Sequence, residues 1–293
     1  MKLLRVGPQG CEHPAVLLED GVTVDISSLL SDITPSTLSR RSLADLRRRV
    51  TAQSSSLPRV DLDSIRTGPP LAGIGKIVCV GLNYREHARE AGMGVPTEPV
   101  LFMKAADTVV GPNDTVNIPP SSTKTDYEVE LAIVIGEQAR YLSDSDDPLD
   151  YIAGYAISND VSERDYQMER GGQWDKGKNC ETFQPLGPWL VTTDEIEDVQ
   201  SLSLSCSING ERRQGSSTAD MIFPVSEIVR YVSQFMVLHP GDVINTGTPA
   251  GVGSGFSPGK FLRHGDVAEL SISGLGSQRH QFQNAAKVEA VSS

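Results

Sequence analysis

Two glutamates separated by one residue, Glu128 and Glu130, are the side chains whose type and spacing first suggest chemistry in this sequence. They lie in the apolar segment YEVELAIVI at 127–135, whose pattern predicts a strand. Because side chains alternate along a strand, both carboxylates fall on one face, about 7 Å apart. Carboxylates this close repel each other unless solvent or a cation lies between them. The pair is therefore either a solvated strand face or part of an oxygen site for Mg²⁺, Mn²⁺ or Ca²⁺.

A metal site of this kind needs a third carboxylate, and Asp160 is a candidate. It follows the apolar segment YIAGYAISN, which predicts a strand that ends at a loop. An aspartate in front of VSERDYQ is also a good helix N-cap, because its side chain can accept a hydrogen bond from the first helical turn. The residues alone leave both interpretations open.

A histidine and a glutamate three residues apart, His87 and Glu90, form a second candidate group. The segment REHAREAG predicts a short helix that ends at Gly92, and residues i and i+3 share one face of a helix. A carboxylate bonded to one imidazole nitrogen leaves the other nitrogen ready to take a proton from water. The same spacing is also typical of a surface ion pair, so the pattern by itself is not specific.

Upstream of these segments, the sequence predicts a small unit. Two β-prone runs flank Asp20 and Gly21, which is a strong hairpin signal, and the apolar spacing over 36–50 predicts a helix. The polar stretch TAQSSSLPRVD that follows is typical of a linker. We therefore expect a small N-terminal α+β domain over residues 1–70 and a larger catalytic domain over residues 71–293.

In the larger part, predicted strands outnumber predicted helices. Asn209 and Gly210 mark a hairpin, and PVSEIVRYVSQFMVL predicts an amphipathic helix with Pro224 near its start. Few strand–helix–strand units repeat in order, which favours an α+β fold with a large mixed or antiparallel sheet over a Rossmann sheet. The segment GTPAGVGSG lacks a Walker lysine and opens no helix, so we exclude a phosphate-binding loop.

The composition limits the classes of partner. A formal net charge of −12 disfavours nucleic acid and anionic membranes, since both would repel the chain at long range. A bound cation can reverse that sign locally, so an acidic substrate stays compatible with it. Four scattered cysteines without a CxxC motif indicate free thiols in a reducing compartment. We see neither a secretory signal nor a run near the ~18 apolar residues of a membrane span, and expect a cytoplasmic enzyme.

Six segments between about residues 75 and 253 carry a family resemblance. They read GLNYREHAREAG, VLFMKAAD, TDYEVELAIVIG, ISNDVSERDYQ, KGKNCETFQPLGPWLV and NTGTPAGVG. In this order and combination they resemble the fumarylacetoacetate hydrolase family. The resemblance implies a mixed β-sandwich roll, a smaller N-terminal domain as in the longer members, and a homodimer.

The resemblance also implies the roles of eight residues. The ligands of a Mg²⁺ ion, or of Mn²⁺ in its place, would be Glu128, Glu130 and Asp160. The catalytic residues, two of them a dyad on a short lid-like helix, would be His87, Glu90 and Lys178. The residues that contact the substrate would be Gln167, Lys178 and Thr248.

The segment RGGQWDKGKNCETFQPLGPWLV looks most like members that hydrolyse 2,4-diketo-3-deoxy sugar acids derived from L-fuconate or L-rhamnonate. Such an enzyme would cleave the C3–C4 bond and release pyruvate and a hydroxy acid such as lactate. Ala105, Ala106 and Cys180 depart from the usual family pattern, where two prolines and an aromatic residue are common. These departures concern the substrate and leave the metal ligands unchanged.

The site residues alone do not select one reaction. An acylpyruvate hydrolase, an oxaloacetate decarboxylase and a 2-oxo acid isomerase or tautomerase would use the same enolate chemistry. A catalytically silent protein that binds a metal or a sugar acid is a further alternative. The intact pair of His87 and Glu90 favours hydrolysis, because such a pair activates a water molecule.

Overall fold

The fold is dominated by strands. It is described here by a computed structural model that covers residues 1–286. The strands of this part of the chain are β1 Lys2–Val6, β2 His13–Leu17, β3 Thr23–Asp25, β4 Arg59–Val60, β5 Ile77–Gly81, β6 Val100–Lys104, β7 Val109–Val110, β8 Val116–Ile118, β9 Thr125–Asp126, β10 Val129–Ile135, β11 Ile152–Asn159, β12 Ser162–Glu163, β13 Gln184–Thr192, β14 Ser203–Ile208, β15 Glu211–Ser217, β16 Val243–Asn245, β17 Val267–Ile272 and β18 Gly276–Asn284. The α-helices are α1 Arg40–Gln53, α2 Arg85–Glu90, α3 Asp175–Lys178 and α4 Val225–Val232.

One large mixed sheet forms the centre of the molecule. Its strand order is β4-β3-β2-β1-β13-β11-β10-β16-β5-β6, and β7 pairs with β13 beside this path. Most neighbours are antiparallel, whereas β16 runs parallel to β5 and β7 runs parallel to β13. The predicted α+β class with a large mixed sheet is thus confirmed, and the short helices lie around it.

A second sheet packs on one face of the large one. Its order is β15-β14-β17-β18-β8, and β10 and β11 of the large sheet lie against β14, β17 and β18. Val129, Leu131 and Ile133 of β10 share one buried apolar cluster with Leu204 and Leu270 of the second sheet. The odd-numbered side chains of β10 therefore fill the space between the two sheets. This agrees with the sandwich expected from the resemblance, and it leaves the even-numbered side chains for the opposite face.

The opposite face of the large sheet is covered in part by α1. Leu43, Leu46 and Val50 of α1 belong to one apolar cluster with Ala132 and Val134 of β10. The helix begins later than the predicted 36–50, because Ser39 is its N-cap and accepts a hydrogen bond from the backbone of Ser42 at 3.1 Å.

The first four strands extend the large sheet, since Lys2 and Leu3 of β1 pair with β13. A separate domain over residues 1–70 stays a prediction, and the end of the second expected domain, residues 287–293, lies outside the described residues. The predicted helix in PVSEIVRYVSQFMVL is present but shorter, as α4 ends at Val232. Among residues 1–286, every helix is too short or too polar to cross a lipid bilayer.

Candidate active site

Three buried carboxylates meet on the α1 side of the large sheet. Glu128 immediately precedes β10, Glu130 lies within it, and Asp160 follows β11. Because β10 and β11 are antiparallel, the backbone N–H of Asp160 donates to the carbonyl of Glu128 at 3.0 Å, which brings the side chains together. One oxygen from each carboxylate lies within 4.8 Å of the others, and the residues are 4%, 2% and 0% exposed. A solvated strand face is therefore wrong, and β12 rather than a helix follows Asp160, so the N-cap interpretation is wrong as well.

Buried cations surround two of the three carboxylates. The Lys178 amine donates to Glu128 Oε2 at 2.8 Å and to Asp160 Oδ2 at 2.7 Å. On the other side of Asp160, the Lys104 amine donates to Oδ1 at 2.5 Å. The Arg164 guanidinium lies 2.7 Å from Glu128 Oε1. Burial alone would raise the pKa of Glu128, but the charges of Lys178 and Arg164 lower it to about 2.

Glu130 is different from its two neighbours. Its Oε2 accepts a hydrogen bond from the backbone N–H of Gly247 at 2.7 Å, and within residues 1–286 it forms no salt bridge. Burial and the charges of Asp160 and Glu128 raise the pKa of Glu130 well above its usual range. A cation bound between the three carboxylates would compensate the negative charge of Glu130. An all-oxygen set of three carboxylates fits a hard divalent ion such as Mg²⁺ or Mn²⁺.

The loop after β16 is shaped so that it reaches Glu130. Gly247 has a φ of +98°, and a Cβ there would lie 2.7 Å from Cβ of Asn83. Asn83 in turn ties this loop to its surroundings, since its Nδ2 donates to the carbonyls of Thr246 at 2.8 Å and Phe223 at 3.1 Å. The chain just before α2 is thus joined to the loop that contacts the carboxylates.

The predicted dyad lies on α2 and faces the same cavity. His87 Nδ1 is 3.2 Å from Glu90 Oε2, and His87 is 8% exposed. Both oxygens of Glu90 accept a hydrogen bond from the backbone N–H of Gly251, at 3.0 and 3.1 Å. The pair is therefore not a surface ion pair. With Nδ1 directed to Glu90, the other ring nitrogen, Nε2, is the one available to a water molecule or a substrate.

The other predicted residues are also at this cavity. Gln167 is buried and its Oε1 accepts from Arg164 at 3.0 Å, which leaves its amide nitrogen as a donor. The Thr248 hydroxyl donates to the carbonyl of Val129 at 3.0 Å and accepts from Gln214 at 2.8 Å. The cavity measures about 380 Å³ and is lined by every predicted site residue except Asp160, which lies beneath it against Lys178.

The rest of the cavity wall is largely apolar. Phe102 and Trp174 pack edge to face, with ring centroids 5.6 Å apart, and the Lys178 amine lies 4.9 Å from the centre of the Phe102 ring. Met93 and Met168 line the cavity nearer the solvent and are 41% and 50% exposed. The inner end of the cavity is thus charged, and the part of the cavity nearer the solvent is largely apolar.

Two charged residues at the site were missed by the sequence reasoning. Lys104 ends the apolar strand VLFMK, and a lysine closing such a strand is a signal that could have indicated a buried amine. Arg164 lies in the charged segment SERD and looks like any surface arginine, although it bonds Asp126 at 2.8 Å and is 11% exposed. Only the folded chain shows that it is part of the cavity.

Comparisons with known proteins extend over nearly the whole chain. The sequence pattern described as fumarylacetoacetate (FAA) hydrolase C-terminal matches residues 76–283. A protein of Burkholderia ambifaria, described no further than as a hydrolase, is 49% identical over 286 residues, which are 97% of this chain and 100% of the relative.

Two solved structures are similar in both fold and sequence. The 5-carboxymethyl-2-hydroxymuconate delta-isomerase of Mycobacterium smegmatis has a TM-score of 0.76 and 30% identity, with 98% of this chain and 100% of that chain covered. The maleylpyruvate hydrolase of Sphingobium sp. SYK-6, solved with manganese(II) and pyruvate, has a TM-score of 0.81 and 27% identity with the same coverage.

The family pattern spans well over half of the chain, and the alignment with the Burkholderia relative extends over almost all of it. Hydrolases and isomerases both occur among the similar proteins. The chain belongs to the fumarylacetoacetate hydrolase family of enzymes.

Proposed function

We propose that this enzyme is a divalent-metal-dependent hydrolase that cleaves a carbon–carbon bond of a 2,4-dioxo acid and releases pyruvate. One observation carries the proposal: the buried cluster of Glu128, Glu130 and Asp160 shares a cavity with the pair of His87 and Glu90. The carboxylates would hold the cation, and the pair would activate water. The similar maleylpyruvate hydrolase, which holds manganese(II) and pyruvate in its crystal structure, supports this combination.

The proposed first step is the attack of water on the 4-oxo carbon. His87 Nε2 accepts the proton of the attacking water, because Nδ1 is directed to Glu90. The Glu90 carboxylate stabilises the imidazolium that forms. A bound divalent cation would supply Lewis-acid stabilisation of negative charge on the carboxylate and 2-oxo oxygens of the substrate.

The proposed second step breaks the C3–C4 bond. Its electron pair leaves with C3 as the enolate of pyruvate, C4 becomes the carboxyl carbon of the second product, and a proton returned to C3 completes pyruvate. The free amide nitrogen of Gln167 and the third N–H of Lys178 are the donors available to substrate oxygens. The two hydrogen bonds of Lys178 also hold Glu128 and Asp160 in place as ligands.

For the substrate, we propose a 2,4-diketo-3-deoxy sugar acid derived from L-rhamnonate or L-fuconate, on the resemblance of the segment RGGQWDKGKNCETFQPLGPWLV. The second product would then be a small hydroxy acid such as lactate.

We also propose a homodimer, which light scattering would detect as twice the chain mass of 31.5 kDa. Isomerisation is the second candidate reaction, because a similar structure is that of a delta-isomerase.

The test is a panel of acids incubated with the Mg²⁺-loaded or Mn²⁺-loaded enzyme. The panel contains 2,4-diketo-3-deoxy-L-rhamnonate, acetylpyruvate, maleylpyruvate, oxaloacetate and 5-carboxymethyl-2-hydroxymuconate. Pyruvate is measured by coupling to a lactate dehydrogenase specific for the D isomer, so that any L-lactate released does not interfere. We expect stoichiometric pyruvate from the dioxo acids and no turnover with excess EDTA. Absorbance changes of a muconate substrate without pyruvate release would favour the isomerase, and full turnover in EDTA would refute the metal requirement.

A further inference from the structure

The carboxylate of Glu90 fits into a notch in the loop after β16. The backbone N–H of Gly251 donates to both of its oxygens, at 3.0 and 3.1 Å. The three atoms nearest to a Cβ built on Gly255 all belong to Glu90, with Cδ at 2.1 Å and Oε1 at 2.2 Å. Gly251 and Gly255 thus both lie against the side chain of Glu90 in α2.

The two glycines are required for different reasons. Gly251 has a φ of +104°, and a Cβ there would lie 2.1 Å from the carbonyl oxygen of Arg213. Only glycine can therefore place this N–H opposite Glu90. Gly255 lies outside the left-handed region, so its backbone would accept any residue. What a side chain at Gly255 would displace is Glu90 itself.

We infer that Gly251 and Gly255 form a seat for Glu90, which couples the docking of α2 to the orientation of the dyad. Oε2 of Glu90 lies 3.1 Å from the Gly251 nitrogen and 3.2 Å from His87 Nδ1, so a single oxygen serves both contacts. Lifting α2 breaks the contact to Gly251, so the Glu90 carboxylate that orients His87 is no longer fixed by the loop. The catalytic part of this inference rests on the proposed function, and Gly255 is a positioning residue that acts through Glu90.

The seat matters because α2 is short and the bonds of Asn83 hold the chain at the start of α2, not at its end. The helix has only six residues, and helices this short are not stable by themselves. Glu86 and Arg89 on its outer side are exposed and pair with each other. On the inner side, His87 and Ala88 are buried. The bond from Gly251 to Glu90 is therefore a specific polar link between the end of α2 and the rest of the cavity wall.

The test is Gly255→Ala, with Gly94→Ala as the matched control. A Cβ on Gly94 meets no atom within 4 Å, so the control changes a nearby glycine without touching Glu90. We expect Gly255→Ala to lower kcat for pyruvate release by about 10²-fold, the usual effect of a small displacement of a catalytic group, and to change KM much less. Gly94→Ala should retain both constants.

A double-mutant cycle distinguishes an effect of Gly255→Ala that acts through Glu90 from a general structural effect of the same substitution. In the Glu90→Ala background the collision partner is gone, so Gly255→Ala should cause no further loss. This double variant also folds without the collision, which keeps the test usable if Gly255→Ala alone is unstable. An equal loss of activity in both backgrounds would overturn the inference.

Hydrogen exchange tests the seat without relying on the reaction. In the absence of substrate, amides of residues 86–91 should exchange faster in Gly255→Ala and in Glu90→Ala than in the unmodified enzyme, and no faster in the double variant than in Glu90→Ala. Unchanged exchange in both single variants would overturn the inference. If the unmodified enzyme cleaves none of the dioxo acids, the proposed function fails, while the exchange result still decides whether the seat holds α2.

Discussion

The amine of Lys104 lies 2.5 Å from Oδ1 of Asp160, and both side chains are fully buried. The same amine donates to the carbonyl of Val161 at 3.1 Å, while Oδ2 of Asp160 accepts from Lys178. A proposed metal ligand is thus held from two sides by ammonium groups. Desolvating such a pair is costly, but removing one partner is costlier, because it leaves the other charge buried without compensation.

Lys104→Met should therefore destabilise the enzyme by about 3–5 kcal/mol in EDTA, the range for breaking a buried pair. Saturating Mn²⁺ should recover part of this loss, because a bound cation compensates the negative charge that is left around Asp160. Urea unfolding in EDTA and in Mn²⁺ measures both values. Lys176 is an exposed lysine and serves as the control, since Lys176→Met should change stability by no more than about 0.5 kcal/mol. A loss below about 1 kcal/mol for Lys104→Met would contradict this account of the buried charges.

Glu130→Gln tests the metal site through stability instead of activity. In EDTA the variant should be at least as stable as the unmodified enzyme, because it removes a charge that Glu128 and Asp160 repel while its Oε1 can still accept from Gly247. Mn²⁺ at 100 times its dissociation constant should stabilise the unmodified enzyme by about 2.7 kcal/mol. The same concentration should stabilise Glu130→Gln far less. Equal thermal shifts in the two proteins would show that Glu130 is no ligand.

Alternation along one strand is the part of the site that the sequence predicts well. A period of two is a property of any strand, so YEVELAIVI places both glutamates on one face whatever the rest of the chain does. The structure agrees, since Val129, Leu131 and Ile133 point into the core between the sheets. Burial was not decided by the segment itself. Glu128 is covered by Lys178 of α3 and by Arg164, and Glu130 by the loop at Gly247, all from distant parts of the chain.

Long-range pairing is what the sequence could not predict. Asp160 becomes a neighbour of Glu128 only because β10 and β11 pair antiparallel in one particular register, with Val129 opposite Asn159. In the same way, the attachment of β1 to β13 joins the first residues to the large sheet, although the local pattern suggests a unit of its own. Such register depends on many contacts at once. The family resemblance supplied that information for Asp160, and no segment by itself did.

Because His280 is buried outside the site, we expect the enzyme to lose stability in mild acid. Burial lowers the pKa of His280 to about 4, and its Nε2 lies 3.0 Å from Oε1 of Gln278. In the unfolded chain the pKa is about 6.5, so between pH 6.5 and 4 the unfolded state binds a proton that the folded state does not. The stability that the neutral, buried His280 contributes is fully present above about pH 6.5 and is lost as the pH falls towards 4.

The size of this effect is about 2 kcal/mol between pH 6.5 and 5. His280→Gln keeps a donor for Gln278 and removes the titrating group. Over this pH range, the free energy of unfolding of the variant should therefore fall by about 2 kcal/mol less than that of the unmodified enzyme. Urea unfolding of both proteins at pH 7, 6 and 5, with EDTA throughout, measures the difference and cancels the other titrating groups. Parallel pH dependences would mean that the pKa of His280 is the same in the folded enzyme as in the unfolded chain.

The most discriminating prediction concerns His87. If it accepts the proton of the attacking water, His87→Ala should lower hydrolysis of a 2,4-dioxo acid by about 10²–10⁴-fold, the usual range for a lost general base. Binding of Mn²⁺, measured by calorimetry, should change little, because His87 is not part of the carboxylate cluster. Decarboxylation of oxaloacetate needs no water nucleophile, so that activity, where present, should fall less than hydrolysis. Glu86→Gln, on the exposed side of the same helix, is the matched control and should retain hydrolysis. Near-normal hydrolysis by His87→Ala would remove the dyad from the mechanism and place isomerisation ahead of carbon–carbon cleavage.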